Sequence, residues 1–394
     1  MVSGARPGSR ALFPDLEPVA YLAHAAISPP SEPVRAAVAS AVGEYARRGA
    51  AAVPAALERR ARLRGKLAGL VGAQPAELAF LPNTTSGIVA VAQCFPWRTG
   101  DRVLLFQGEF PANVTPWQRA AEAFGLEAAL LPLDPFERGE AEGLEALERE
   151  LRRGARLVAA SAVQFQTGLR MPLGAMAALC ARHGAELFVD AVQACGVVPL
   201  DAAALGLDYL AAGSHKWLMG ILGAGFLYVR PGREAALRPR LAGWLSHEHA
   251  ARFLSEGPGH LRYDRPIRRR ADFLESGSAG EAALAGLEAS VDLLAALGVP
   301  AIHAHVNGYL DLLEPELVAR GFRSQRAPEP ERRSGILSLR PPPGADPVRL
   351  QRSLAARGVA CSVPDGLLRF SPHWPNDPAE VPGVVRAVES ALAE

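Results

Sequence analysis

The chain has almost no surplus of charge. Its 42 Lys and Arg residues stand against 41 Asp and Glu, a formal net charge of +1 over 394 residues. That balance gives no electrostatic reason to expect nucleic acid or an anionic membrane surface as a partner. The stretch 265–270 is locally basic but carries no interleaved aromatics, so it reads as a solvated face or a phosphate-facing edge rather than an RNA-binding patch. Cysteine is scarce as well. Cys94, Cys180, Cys195 and Cys361 lie far apart with no Cys-x-x-Cys spacing, which argues against a disulfide framework or a zinc site and for reduced, buried thiols in a cytoplasmic protein. Long apolar runs are missing. The longest, around 220–229, is about half a membrane span, and the basic residues of Met1–Arg10 have no apolar segment behind them, so neither a membrane helix nor a signal peptide is expected. There is no internal repeat. What is present is apolar substance: 49% of the residues are hydrophobic, enough to bury a large core, which at this length is expected to divide into two domains.

Through the first two-thirds of the chain, short apolar runs alternate with amphipathic stretches. The runs 103–106, 128–131, 157–162, 187–189 and 225–229 have strand length and no polar face, whereas 116–124, 144–153 and 173–183 have helical periodicity. This alternation predicts an α/β domain, a mostly parallel sheet flanked by helices on both faces. Near Phe253 the pattern changes. Ser255-Glu256-Gly257-Pro258-Gly259 breaks the chain, two long helices follow at 281–297 and 302–320, and strands at 336–339 and 367–370 alternate with helices at 347–357 and 378–393. The expected division is an N-terminal segment (1–30) packing near the active site, a large domain (31–255) and a smaller C-terminal α+β domain (256–394), with the Pro- and charge-rich 326–334 as a surface loop.

Two residues in the large domain stand out together. Lys216 lies in Gly213-Ser214-His215-Lys216-Trp217-Leu218-Met219-Gly220, and 26 residues before it Asp190 closes the apolar run Phe188-Val189. Singly, each has a bland reading: the polar end of a buried strand, and a solvated charge in a Gly-flanked loop. As a pair they supply the two ends of a pyridoxal 5'-phosphate site. A lysine amine can hold the cofactor's aldehyde as a Schiff base, and a carboxylate can keep the pyridine nitrogen protonated so that the ring accepts electrons. Gln193, three residues beyond Asp190, comes within reach of the ring's phenolic oxygen if the strand ends there. Ligands of parallel sheets gather at the carboxyl ends of strands, and Asp190 sits at such an end.

Around this pair lie further motifs: Tyr21-Leu22-Ala23-His24-Ala25-Ala26, Asn83-Thr84-Thr85-Ser86-Gly87, Leu205-Gly206-Leu207-Asp208-Tyr209 and Leu368-Arg369-Phe370-Ser371-Pro372-His373. In this order and spacing the chain resembles the class V aminotransferase superfamily of fold-type I pyridoxal-phosphate enzymes, which holds cysteine desulfurases, kynureninases and isopenicillin N epimerase-like enzymes. The resemblance implies that Thr84 and Thr85, at a helix start that otherwise reads as a simple N-cap, hold the cofactor phosphate. It implies that His215 and Ser214 flank the cofactor, that Phe110 stacks on its ring, and that Arg369 grips the α-carboxylate of an amino-acid substrate. His24 falls on the substrate side or merely caps a turn. Ser278 matches the residue with which one subunit reaches the other's phosphate, which implies a homodimer, or it is an ordinary turn serine.

Several positions depart from the desulfurase pattern. Phe110 stands where desulfurases have a proton-handling His, Phe165 where they have Asn, and Gly213 where the family often has Ser. Gln164 and Gln166 are expected on one face of a strand end and Phe165 on the other. Cys361, only eight positions before Arg369 and following an apparent strand, reads as an inert core thiol rather than a mobile nucleophile. The resemblance implies chemistry through an external aldimine and a quinonoid, and the departures point to a lyase eliminating at the substrate's side chain. Transamination and epimerisation stand as alternatives, with desulfuration and a non-catalytic homologue behind them.

Overall fold

Runs of four or five residues without a polar member have no face to turn to water, and in the large domain they lie side by side. The computed structural model describes residues 4–394; the first three residues of the expected N-terminal segment, and of the stretch read for a signal peptide, lie outside the described residues. The strands are β1 (Ala20–Tyr21), β2 (Leu78–Leu81), β3 (Arg102–Phe106), β4 (Glu127–Leu131), β5 (Leu157–Ser161), β6 (Glu186–Asp190), β7 (Tyr209–Gly213), β8 (Gly225–Val229), β9 (Arg323–Ser324), β10 (Leu337–Arg340), β11 (Val359–Ala360) and β12 (Leu368–Phe370). Seven form one sheet in the order β2-β8-β7-β6-β5-β3-β4. The pairs among β3 to β7 are parallel, and β8 is antiparallel to both its neighbours. β5 to β8 are buried at every residue, as a sheet covered on both faces requires.

The helices are α1 (Glu32–Arg48), α2 (Val53–Leu70), α3 (Thr84–Cys94), α4 (Thr115–Phe124), α5 (Asp134–Arg138), α6 (Glu140–Leu151), α7 (Leu173–Arg182), α8 (Glu281–Leu297), α9 (Val299–Val318), α10 (Pro347–Ala356) and α11 (Val381–Leu392). One face of the sheet packs Ile88 and Val91 of α3 and Trp117 of α4 against Phe188, Tyr209 and Leu227. The other face opens into a core that runs from Met176 and Cys180 of α7 through Val189 and Leu210 to Leu310, Leu339 and Phe370 of the C-terminal part. Within the seven-stranded sheet two strands had no counterpart in the sequence reading, β2 and β7. β2 is four residues long, too short for periodicity to separate strand from helix. β7 is Tyr-Leu-Ala-Ala-Gly, a poor strand former by composition, and exists because β6 and β8 hydrogen-bond it on both sides.

The smaller sheet has the order β12-β10-β9 and is antiparallel. α8, expected in the smaller domain, packs along α1 and α2 of the large one. β1 pairs in parallel with β11, and Ala23 bridges Ser371, so the N-terminal segment is stitched to the C-terminal part and carries Ala25 and Ala26 to the mouth of the main cavity. Around the basic stretch, Arg268 and Arg270 both fold onto Asp272. Among the described residues no single helix is long and apolar enough to cross a membrane.

Candidate active site

Four loops leaving the carboxyl ends of β3, β5, β6 and β7 meet the start of α3 around a cavity of 530 Å³. Asp190, the last residue of β6, is buried, and one of its oxygens accepts the Val192 amide at 2.9 Å. Burial, and secondarily the negative charge of Glu109, raises its pKa to about 7, while Lys216 and the Val192 amide pull the other way. Lys216 lies three residues past the end of β7. Burial lowers its pKa to about 8, with Arg369 adding to the shift and Asp190 opposing it. Its Nζ stands over the Phe110 ring, 5.4 Å from the centroid. Lys216 is one of two lysines in the chain; the other, Lys66, is engaged by Glu288 and Asp292 on the surface.

The loop carrying Lys216 is clamped at its backbone. Ser28 donates its hydroxyl to the Lys216 carbonyl at 2.6 Å, and its amide reaches the His215 carbonyl at 2.8 Å. His373 Nε2 lies 2.9 Å from the Trp217 carbonyl, and the Trp217 indole donates to Gln193 Oε1 at 2.8 Å. Gly196, at φ 108, lets the chain pass where a Cβ would stand 2.3 Å from the Trp217 carbonyl oxygen. Met219 takes a left-handed φ of 53° in the same loop, a conformation that packing must hold in place.

The phosphate end of the cavity is the start of α3. Asn83 caps the helix by accepting the Ser86 amide at 2.8 Å, and the first amides of the helix have no partner within it. Thr84 is buried, its Oγ1 has no hydrogen-bond partner, and Thr85 is exposed beside it. Gly213 lies against this hydroxyl: a Cβ there would stand 3.0 Å from Thr84 Oγ1 and 3.4 Å from the His215 ring. His215 lines the cavity, and burial with the adjacent Lys216 charge holds it below the ordinary histidine range. Gln193, also on the wall, gives one amide hydrogen to the Ala25 carbonyl at 3.0 Å.

At the opposite end Arg369 is 4% exposed and has no carboxylate partner. Its Nε donates to Ser362 Oγ at 3.0 Å and its Nη1 to the Phe165 carbonyl at 2.6 Å. Desolvation brings its pKa down to about 10, the mark of a buried cation without a counter-ion.

Three expected site residues stand elsewhere. His24 is buried behind the wall, between the rings of Tyr21 and His373. With the Ser28 hydrogen committed to the Lys216 carbonyl, His24 Nδ1 donates to Ser28 Oγ at 2.8 Å, so His24 supports the lysine loop rather than lining the cavity. Ser214 turns its hydroxyl to the Ile221 carbonyl, away from the cavity. Ser278 is exposed in a separate cavity of 240 Å³ with Arg60, Phe80 and Pro82; one chain does not bring it to Lys216. The 164–166 segment is a turn, not a strand end, so its two glutamines do not share a face. Gln164 points inward to Glu109, Gln166 donates to Asp365 at 3.0 Å, and Phe165 faces the cavity. Cys361 is buried, and burial alone pushes its thiol up to about 12.

Glu109 was not singled out in the sequence. It is buried beneath the site, accepting the Ser161 amide at 2.6 Å, the Ser161 hydroxyl, and Gln164 Nε2 at 3.1 Å, and burial raises its pKa. Ser161 is the register partner of Asp190. The only local signal was a charged residue immediately before Phe110.

A family model described as Aminotransferase class-V matches residues 21–367. An isopenicillin N epimerase of Amycolatopsis lactamdurans is 30% identical over 337 residues, 83% of this chain and 83% of that protein. A cysteine desulfurase of Escherichia coli (strain SE11) is 32% identical over 314 residues, 74% of this chain and 72% of that protein. Among solved structures, the cystine C-S lyase C-DES in complex with its reaction product cysteine persulfide superposes with a TM-score of 0.84 at 22% identity, covering 94% of this chain and 97% of that one; this is a likeness of fold.

Proposed function

The chain belongs to the class-V aminotransferase family, and from that premise we propose that it is a pyridoxal-phosphate-dependent enzyme that eliminates a group from the side chain of an α-amino acid. The residues fit the cofactor. Thr84 Oγ1 is buried without a partner beside the free amides of α3, which suits a phosphate, and Asp190, Gln193 and Lys216 share the same cavity. Bound there, pyridoxal phosphate supplies an aldehyde for the lysine and a ring that stores the electron pair left when a bond to the substrate's α-carbon breaks.

The rest is the work of the chain's own groups. Asp190 holds a proton on the ring nitrogen; its pKa near 7 makes it a basic enough carboxylate for that hydrogen bond. Lys216, with a pKa of about 8, has a substantial neutral fraction at ordinary pH, so its amine can attach the cofactor and can move a proton at the substrate α-carbon. Arg369 offers its unused N–H groups to the α-carboxylate, and its buried, unpaired guanidinium is the observation that carries the amino-acid reading.

Elimination is favoured by what stands against Lys216: the ring beside its Nζ is Phe110. Phe110 offers no acid or base, so an inversion that needs acceptors on both faces of the α-carbon lacks its second one. Cys361, with its thiol pushed up to about 12, is no sulfur acceptor. Transamination, which also needs only one base, is the second reading. A panel of L-amino acids followed for ammonia and keto acid, with and without an added keto-acid acceptor, separates them. Elimination releases both products without an acceptor; turnover only with an acceptor, and no net ammonia, overturns it. We also propose a homodimer in which Ser278 completes the neighbour's phosphate site; a monomer by light scattering that still holds cofactor tightly contradicts this. Four free, buried thiols suit a reducing, cytoplasmic setting.

A further inference from the structure

Each charged side chain on the cavity wall is already committed. Asp190, Lys216 and Arg369 are those charges, and His215 is held toward its neutral form. Ser362 touches Arg369: its Oγ accepts from Arg369 Nε, which leaves its own hydroxyl hydrogen to donate beside the α-carboxylate grip. Asp365, one residue past the wall residue Pro364, is taken by Gln166 Nε2. Apart from Asn83, Thr84, Thr85, Gln193 and His215, which suit the cofactor, the wall left to meet the substrate beyond its α-carbon is apolar: Phe110, Phe165, Val363 and Pro364, with Ala26 from the N-terminal segment.

Two of these form a fixed corner. Phe110 and Phe165 meet edge to face with ring centroids 5.3 Å apart; Phe110 is half-exposed and also serves the cofactor ring, so Phe165 is the member of the pair turned chiefly to the substrate. The segments that carry them are linked through the side chain of one residue. Glu109 directly precedes Phe110 and binds Ser161 and Gln164, and Gln164 directly precedes Phe165. Phe165 is tied to the carboxylate end too, because its carbonyl accepts from Arg369. The distance between the α-carboxylate grip and the aromatic wall is therefore built into the fold rather than left to flexible side chains.

Resting on the reading that an α-amino acid binds at Arg369, we propose that the Phe110–Phe165 corner makes this enzyme selective for amino acids with uncharged, apolar side chains, thioether or aromatic, and against acidic and basic ones. A carboxylate or ammonium placed against Phe165, Val363 and Pro364 gives up hydration with no charged partner among those residues. A thioether or an aromatic ring loses little water and gains contact with two ring faces and edges.

The test is a spectral titration of the holoenzyme with L-methionine, S-methyl-L-cysteine, L-phenylalanine, L-glutamate and L-lysine, read as the half-saturation concentration for each and paired with kcat/KM. Wild type is expected to take the first three at half-saturation concentrations at least about 100-fold lower than the last two. Phe165→Ala should cut that discrimination about tenfold, read as the ratio of half-saturation concentrations within each enzyme so that any general loss of binding cancels, and Phe165→Arg should move the preference toward L-glutamate. Equal or tighter binding of a charged amino acid by wild type, or discrimination unchanged in both variants, overturns the proposal and leaves the amino-acid reading standing. No spectral change with any amino acid overturns both.

Discussion

In one part of the main cavity Asp190, Gln193, Lys216 and the start of α3 present polar groups, with Asp190 and Gln193 held by hydrogen bonds and Thr84 Oγ1 left without one. At the other end Arg369 stands alone as a cation beside Phe110, Phe165, Val363 and Pro364. The first end is set by what a phosphate, a ring nitrogen and an aldehyde require, and it carries most of the motifs by which the chain resembles its family, with Gly213 its one departure. The second end keeps the Arg369 motif and holds the other departures, Phe110 and Phe165. The difference teaches where each kind of information lies. The polar end fixes the class of chemistry, and the apolar end fixes what that chemistry is done to.

Breaking the polar end has the largest expected effect. Lys216→Ala removes the lysine base and the attachment point together, and turnover should fall at least about a thousandfold, measured as product release by enzyme with cofactor in excess. Arg369→Gln keeps donors but removes the charge from the grip on the carboxylate. It should lower kcat/KM about 100-fold, the value of one or two charge-assisted hydrogen bonds, mostly through KM; an unchanged KM would detach Arg369 from substrate binding.

The polar end also predicts a pH dependence. Only the neutral amine attacks an aldehyde, and Lys216 becomes neutral about a pKa of 8 rather than in the ordinary lysine range. Cofactor capture by the apoenzyme should therefore rise with pH to a plateau, with its midpoint near 8; a midpoint near 10 would show that burial does not tune this amine. Asp190 works in the opposite direction on stability. Its folded pKa of about 7 lies above the ordinary aspartate value, so the folded state binds more protons across that window and loses stability as pH rises through it. Asp190→Asn should raise the melting temperature of the apoenzyme at pH 8, with the gain shrinking as pH falls from about 7 to about 4. The smallest effect is at Cys361, buried and off the cavity wall. Cys361→Ala should leave turnover within about twofold of wild type, and a large loss would reopen sulfur-transfer chemistry.

The same contrast describes what could be read from the sequence. Lys216 in its Gly-flanked loop and Asp190 closing an apolar run carry their signals locally, because each sits at or just past the end of a strand where the pattern of polarity changes, and Arg369 interrupts the apolar strand Leu368–Phe370. The parallel sheet was legible for the same reason. The orientations of His24, Ser214 and Phe165 were not. Ser214 is claimed by the Ile221 carbonyl, His24 by Ser28, and Phe165 is turned by a loop whose neighbouring glutamines bind Glu109 and Asp365. Ser28 itself reaches the Lys216 carbonyl from 188 residues away. Glu109 matters through Ser161 and Gln164, more than 50 positions on. Such contacts exist only once β3, β5 and β6 lie side by side, and no periodicity announces them.

Because the chain has only Lys66 and Lys216, the attachment of the cofactor can be read directly. Holoenzyme treated with borohydride, which fixes the cofactor onto the amine that holds it, is digested and its peptides are weighed. The pyridoxyl mass should sit on the peptide carrying Lys216, at close to one per chain, with Lys66 unmodified. Label on Lys66, or no label on a chain that has visibly bound cofactor, would contradict the site described.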